Sequence, residues 1–362
     1  MKIAVVGRGL VGSAAARHLT GAGHEVILIG PDEPIDWQSH KGVFASHYDE
    51  GRITRINDRR AFFARVSAAS IARYAQITRD SGIAFFTASG SLVAGGPAFM
   101  ADVAAARDGL AVTFDVLDPA AIKARFPYLA LPGDQHAVYE PEAGHISPRN
   151  LVTAQTEAAR RGGAALIPEE ALSVADHSVT TASGTIHADQ VIVAAGGWSD
   201  AVLGRKPVLD VYARTVAFFE IGPDEARRLA TMPTIVHESS DDLYVLPPIR
   251  YADGKLWLKL GGDPEDVRLP DQAAVGDWFR SGGSEEVADH LTDRICQLIP
   301  GLRYETRHHK PCVTTWTDDR LPEIRRLSPG LTIAAGGNGS GAKCSDELGR
   351  MAATIATEEK SI

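Results

Sequence analysis

Ile3-Ala4-Val5-Val6-Gly7-Arg8-Gly9-Leu10-Val11-Gly12 is the stretch that decides the fold. Ile3 to Val6 is a short, wholly apolar run of the kind that forms a parallel strand buried on both faces. The glycine series then opens an Ala-rich segment with helical spacing (Leu10, Ala14, Leu19) that ends near Gly21 and Gly23, and a second β-like run, Glu25 to Ile29, follows. Strand, turn, helix, strand is the context in which a G-x-G-x-x-G series carries weight. Gly7 permits the tight turn, Gly9 lets the main chain approach a pyrophosphate, and Gly12 lets helix and strand pack closely. The helix N-terminus then offers unpaired N–H groups to the phosphates. The series does not separate NAD from FAD. The ribose-binding carboxylate that normally ends the second strand is also missing, because the chain reads Leu28-Ile29-Gly30 there; Asp32 or Glu33, just beyond, is the substitute.

Working outward, the chain has 362 residues, more than one compact core usually holds, so two domains are expected. Its 37 Lys+Arg against 46 Asp+Glu give a net charge of −9, which argues against nucleic acid or an anionic membrane as partner. No apolar run reaches the roughly 18 residues a bilayer span requires. Three cysteines, Cys296, Cys312 and Cys344, make neither a CxxC pair nor a disulfide framework; no metal site and a reducing, cytoplasmic compartment are expected. No internal repeat or low-complexity linker interrupts the pattern. A capped helix is predicted over 118–126 and an amphipathic one over 147–161, with Ser147 as cap and Pro148 in the first turn. A hairpin over 178–186 should feed a buried strand at 190–195, and 209–221, 234–237, 243–247 and 255–260 read as β-rich.

Four further segments complete the reading: Ala45-Ser46-His47-Tyr48-Asp49-Glu50-Gly51-Arg52-Ile53-Thr54-Arg55; Val191-Ile192-Val193-Ala194-Ala195-Gly196-Gly197-Trp198-Ser199; Lys310-Pro311-Cys312-Val313-Thr314-Thr315-Trp316-Thr317-Asp318-Asp319; and Ile333-Ala334-Ala335-Gly336-Gly337-Asn338-Gly339-Ser340-Gly341-Ala342-Lys343. With the opening turn, they resemble the FAD-dependent amine and amino-acid oxidases of the D-amino-acid oxidase superfamily. The likeness is greatest to the monomeric sarcosine oxidase branch, with its N-methyltryptophan and pipecolate oxidases, and runs from residue 1 to about residue 358. It implies an α/β fold with a Rossmann-like, glutathione-reductase-like FAD domain of residues 1–80, 145–210 and 307–362. A substrate domain of residues 81–144 and 211–306 would be built on a mixed, largely antiparallel sheet.

The same resemblance implies FAD held by Gly7, Gly9, Leu10, Val11, Gly12, Asp32 and Leu172. Ser46, His47 and Arg52, then Ala195, Gly196, Gly197 and Trp198, and finally Gly336, Gly337, Asn338, Gly339, Ser340, Gly341 and Lys343 would complete the cofactor site. Cys312 stands where the branch bonds a cysteine sulfur to the flavin's 8α-methyl carbon; otherwise it is a small buried hydrophobe. Counted back from Arg52, the flavin-facing histidine of the family falls on Tyr48, with His47 one place earlier. Arg55 and Lys343 would grip the substrate carboxylate, a task suited to an Arg fork; as bare sequence they are equally a solvated loop and a surface lysine. Lys259 matches a lysine that promotes the reaction of reduced flavin with oxygen, and Tyr244 a tyrosine of the substrate cavity. Thr314 replaces an aromatic wall residue, so with Arg214, His308, His309 and Lys310 nearby in sequence a second substrate carboxylate is one expectation.

The implied activity is oxidation of a small secondary-amine amino acid, sarcosine-like or iminodiacetate-like. Hydride would leave the C–N carbon for flavin N5, the imine would hydrolyse, and O2 would reoxidise the flavin to give H2O2. The partners are then a small amine and O2, and the protein a monomer or small homo-oligomer. A flavin dehydrogenase with another acceptor, a D-amino-acid or glycine oxidase, an NAD(P)-dependent reductase and a non-catalytic FAD-binding subunit are the rivals.

Overall fold

The computed structural model describes residues 1–206 and 208–358. Residues 207 and 359–362, which the sequence reading places in the nucleotide-binding segments, lie outside the described residues. Lys2–Val6 is the strand the opening run predicts, and it pairs in parallel with Glu25–Ile29 on one side and Gln190–Val193 on the other. Ala165–Ile167 and Leu331–Ala335 extend the parallel sheet, and Glu323–Ser328 closes it as an antiparallel edge, six strands in all. Alternation with period two sends Ile3 and Val5 into one core cluster, under the helices Leu10–Gly21 and Gly341–Thr357. Ala4 and Val6 enter the other, with Val179, Val191 and Val193. Burial on both faces is why these strands are apolar throughout. Each buried Val or Ile side chain among them contributes about 1.5–3 kcal/mol.

A nine-stranded sheet forms the second layer, and all its pairings are antiparallel except that of Thr234–His237 with Ser91–Gly95. Leu92, Phe219, Leu258 and Leu260 on one side of it pack on Leu291, Ile295 and Leu298 of the helix Glu285–Leu298. The capped helices appear as the sequence predicts: Asp118 accepts from the Ala121 N–H and Ser147 from the Asn150 N–H.

One segment belongs elsewhere than the sequence reading put it. Arg307–Trp316, assigned to the nucleotide-binding segments, is a strand of the large sheet and pairs with Asp210–Glu220 along its whole length. Its ladder partner lies about a hundred residues upstream, so nothing local in the sequence signals the pairing. The consequence is functional, because this strand places Cys312 on the large sheet, at the wall of the cavity described below.

Candidate active site

Between the two layers lies a cavity of about 890 Å³. One end is built by the opening turn. Gly7 has φ +105°, and a Cβ there would meet the Ala194 carbonyl oxygen at 2.3 Å. A Cβ at Gly12 would lie 1.8 Å from the Gly7 carbonyl oxygen, so Gly12 sits beneath the turn while Gly7, Gly9, Leu10 and Val11 line the cavity. The helix Leu10–Gly21 has no side-chain cap and no acidic residue in its first turn. The same is true of Gly341–Thr357, preceded by the lining loop Gly336, Gly337, Asn338, Gly339, Ser340 and Gly341. Two helix N-termini thus present N–H groups and positive dipole ends to the cavity, without a side-chain cap among the described residues. An elongated anionic ligand with a pyrophosphate suits that arrangement. Ala195, Gly196, Gly197 and Trp198 line the wall between them.

The large sheet supplies the other end. Residues opposite one another in an antiparallel pair project from the same face. Arg214 pairs with Cys312, Val216 with Gly261 and Lys310, Phe218 with Lys259 and His308, while Tyr244 and Leu246 stand opposite Gly261 and Lys259. Tyr244, Lys259, Arg214 and Cys312 therefore share the face turned to the cavity, on adjacent strands. Over this face runs the segment Ser46 to Arg55. Arg52 donates to the Ser46 carbonyl at 3.0 Å, lies 3.5 Å from the Cys312 sulfur, and pairs with the Asp49 carboxylate.

Lys259 is fully buried and stands one layer behind the cavity wall, its ammonium on the Asp49 carboxylate and on the Gly51 carbonyl at 2.7 Å. Tyr251 donates to the other Asp49 oxygen at 2.8 Å. Against the cost of burial, Lys259 and Arg52 hold the Asp49 carboxyl well below the usual carboxylate range. One carboxylate cannot neutralise two cations, and burial together with Arg52 pushes Lys259 down to about 8. His47 lines the cavity beside Gly9, and burial, with Arg149, Arg8 and Arg52 nearby, pushes it down to about 3. Tyr48, its neighbour, packs with Phe44 and Phe279, and burial pushes it up to about 12.

The third part of the wall joins the two ends of the chain. Arg55 and Lys343 line the cavity, and both bind one carboxylate oxygen of Asp58, at 3.0 and 2.7 Å. Ser67 accepts from the same ammonium at 3.1 Å, and Arg60 lies 3.7 Å from the other Asp58 oxygen. Burial opposes a charge on Asp58, but Lys343 and Arg55 hold its carboxyl far below the usual range. The Arg55 Nε is buried without a hydrogen-bond partner among the described residues, leaving that edge of the guanidinium for a ligand.

Of the residues that the sequence reading assigns to cofactor, substrate or catalysis, Gly12, Lys259, Asp32 and Leu172 stand apart from the cavity lining. Gly12 is structural, Lys259 is covered by Asp49 and Gly51, and Asp32 is exposed and pairs with Arg8. Leu172 is 60% exposed with its N–H spent on the Thr180 carbonyl, while Glu170 and Ala171 take the place at the wall. Glu33, the other ribose candidate, is held by Arg149 at 2.6 Å. His308 is stacked on Phe218, and His309 lies 3.4 Å from Glu285, so of the basic groups near the motif strands Arg214 is the one lining the main cavity. The sequence reading missed Asp49 and Asp58. Asp49 was within a quoted motif and Asp58 three residues beyond it, but acidic residues in an irregular loop carry no pattern of their own.

The glycine turn, the open helix ends and the two-layer cavity define a dinucleotide-binding protein. The chain belongs to the FAD dependent oxidoreductase family, whose pattern matches residues 2–355. It is similar to the monomeric sarcosine oxidase of Bacillus sp. (strain B-0618), 26% identical over 376 residues that cover 99% of this chain and 93% of the relative. The N-methyl-L-tryptophan oxidase of Yersinia pestis (strain Pestoides F) is 26% identical over 375 residues, covering 99% and 95%. In fold it matches the L-proline dehydrogenase from P. horikoshii with a TM-score of 0.76 at 20% identity, over 99% of this chain and 94% of that one.

Proposed function

We propose that this protein oxidises the CH–NH bond of a small secondary-amine amino acid, with FAD as the electron acceptor and O2 as the terminal oxidant. The observation that carries the reading is the convergence of Arg55 and Lys343 on the cavity wall around Asp58, with the Arg55 Nε unpartnered. A two-cation clamp suits a substrate carboxylate, because charge-assisted bonds both bind it and fix its orientation. The similarity to oxidases named for sarcosine and N-methyl-L-tryptophan supports an N-alkyl amino acid as the class.

Gly7, Gly9 and the helix end at Leu10 would hold the pyrophosphate, and the loop from Gly336 to Gly341 the ring system, with Cys312 as the proposed attachment point. Bound there, the flavin supplies two-electron oxidation of an amine to an imine and delivery of the electrons to oxygen. The chain's own work is binding, orientation and charge. Arg55 and Lys343 would fix the carboxylate, Tyr244 would bound the cavity beside them, and the Arg52–Asp49–Lys259 array would supply a net positive charge to the site. His47 stays neutral at ordinary pH and adds no charge of its own.

The test is to load the protein with FAD and screen N-methyl and N-carboxymethyl amino acids for flavin reduction and peroxide. No oxygen consumption with any N-alkyl amino acid overturns the oxidase reading. A flavin dehydrogenase with another acceptor is favoured by one observation, the Asp49 carboxylate in contact with Lys259, which offsets the cation's field. Rapid reduction by substrate with slow reoxidation by air selects it.

A further inference from the structure

The wall formed by the large sheet and its loops differs in charge from the Arg55–Lys343 clamp. Asp241, Asp242, Asp263 and Asp266 line it, and Arg214 is the basic residue among them. Arg214 is already committed: it donates to the Ala213 carbonyl at 3.1 Å and pairs with Asp266. The second-carboxylate subsite expected from sequence therefore has no free cation at Arg214. Asp241 is spent on His290 and Arg294, at 2.8 and 2.9 Å, and Asp242 and Asp266 are exposed.

Asp263 is different. Its side chain is 9% exposed, and Oδ1 accepts the Thr215 N–H at 3.0 Å. Oδ2 has no hydrogen-bond donor among the described residues, since Arg214 Nε at 4.0 Å is beyond hydrogen-bond reach. Asp263 lines the cavity, where a cationic group of a ligand would give this oxygen a charge-assisted bond. Val93, Phe99 and Val236 add an apolar stretch to the same cavity, suited to the methylene stem of a long side chain.

We propose that Asp263 recognises a second, positively charged group on the substrate, so that the preferred amine is an N-alkylated amino acid with a basic side chain. This rests on the reading of the clamp as a carboxylate site and extends it to the other end of the substrate. Burial, against the Thr215 N–H and Arg214, pushes Asp263 up to about 6, with Asp266 and His290 the further charged groups in reach. The preference should thus be full above that pH and fade as the pH falls through it.

The experiment compares Nα-methyl-L-lysine with N-methyl-L-norleucine on the FAD-loaded protein, by the ratio of their kcat/KM values. Wild type should favour the lysine derivative by about tenfold or more, about 1.4 kcal/mol, mostly in KM. Asp263→Asn should bring the ratio towards 1, and Asp263→Glu should keep most of it. No preference in the wild type, or an equal loss for both substrates in the Asn variant, overturns the proposal. If neither compound reduces the flavin, the proposed activity has failed, and equilibrium binding of 6-aminohexanoate against hexanoate by calorimetry still reads the charge recognition. Tighter binding of the amino acid in wild type but not in Asp263→Asn supports it; equal binding of the two overturns it.

Discussion

Replacing Asp58 with Asn removes the carboxylate shared by Lys343 and Arg55 and leaves three cations, Arg60 included, around a neutral amide. Lys343 and Asp58 are 4% and 3% exposed, so solvent does little to screen the change. Deleting one partner of a buried ion pair costs about 3–5 kcal/mol, a large share of the roughly 5–15 kcal/mol that holds a typical fold together. A fall of several degrees in Tm is expected at low ionic strength. The bare cations should then seek an anion. Acetate at about 100 times its Kd would return about 2.7 kcal/mol, so it should stabilise the Asn variant well beyond its effect on wild type. The pH dependence has a definite sign: a carboxyl held below its unfolded value contributes stability that is complete above about pH 3.9 and is lost as the pH falls further. Wild type and variant should therefore differ most near neutrality and converge in acid. Adding Lys343→Met to Asp58→Asn should recover part of the loss, because it removes the uncompensated charge. An unchanged Tm, or acetate raising both proteins equally, would refute the account of the clamp.

Three other outcomes follow from the geometry. Gly12→Ala should abolish FAD retention, read as loss of yellow absorbance, because its Cβ would lie 1.8 Å from a backbone oxygen that has nowhere to move; wild-type flavin content would contradict the turn's role. Acid denaturation should leave the flavin on the wild-type chain and release it from Cys312→Ser, whereas flavin free in both would exclude attachment at Cys312. His47, pushed down to about 3, should stay neutral from pH 5 to 8, so His47→Asn should leave the apparent pKa values of the pH–rate profile in place. The sign for stability follows: His47 should cost the fold nothing above about pH 6.5 and should destabilise it as the pH falls below, an acid limb missing in the variant.

Much of this protein was legible in the sequence because the relevant signals are local. The apolar run at Ile3, the spacing of Gly7, Gly9 and Gly12, and the caps at Asp118 and Ser147 depend on neighbours a few residues away. They led to the nucleotide-binding layer, while most of the predicted residues lining the cavity came from the family resemblance of the quoted motif segments. Register and charge pairing do not work that way. The strand bearing Cys312 joined the large sheet through a partner about a hundred residues upstream, against the domain assignment made from motif order. Asp49 meets Lys259 across 210 positions and Asp58 meets Lys343 across 285, so neither pair leaves a periodic trace. Arg214 looked like a free cation as a letter in a chain, and only the fold, bringing Asp266 beside it, decided otherwise. Backbone geometry is set by short-range sterics and hydrogen bonding, which a sequence displays directly. Which charges remain available to a ligand is a sum over residues brought together by topology, and that sum exists only once the chain is folded.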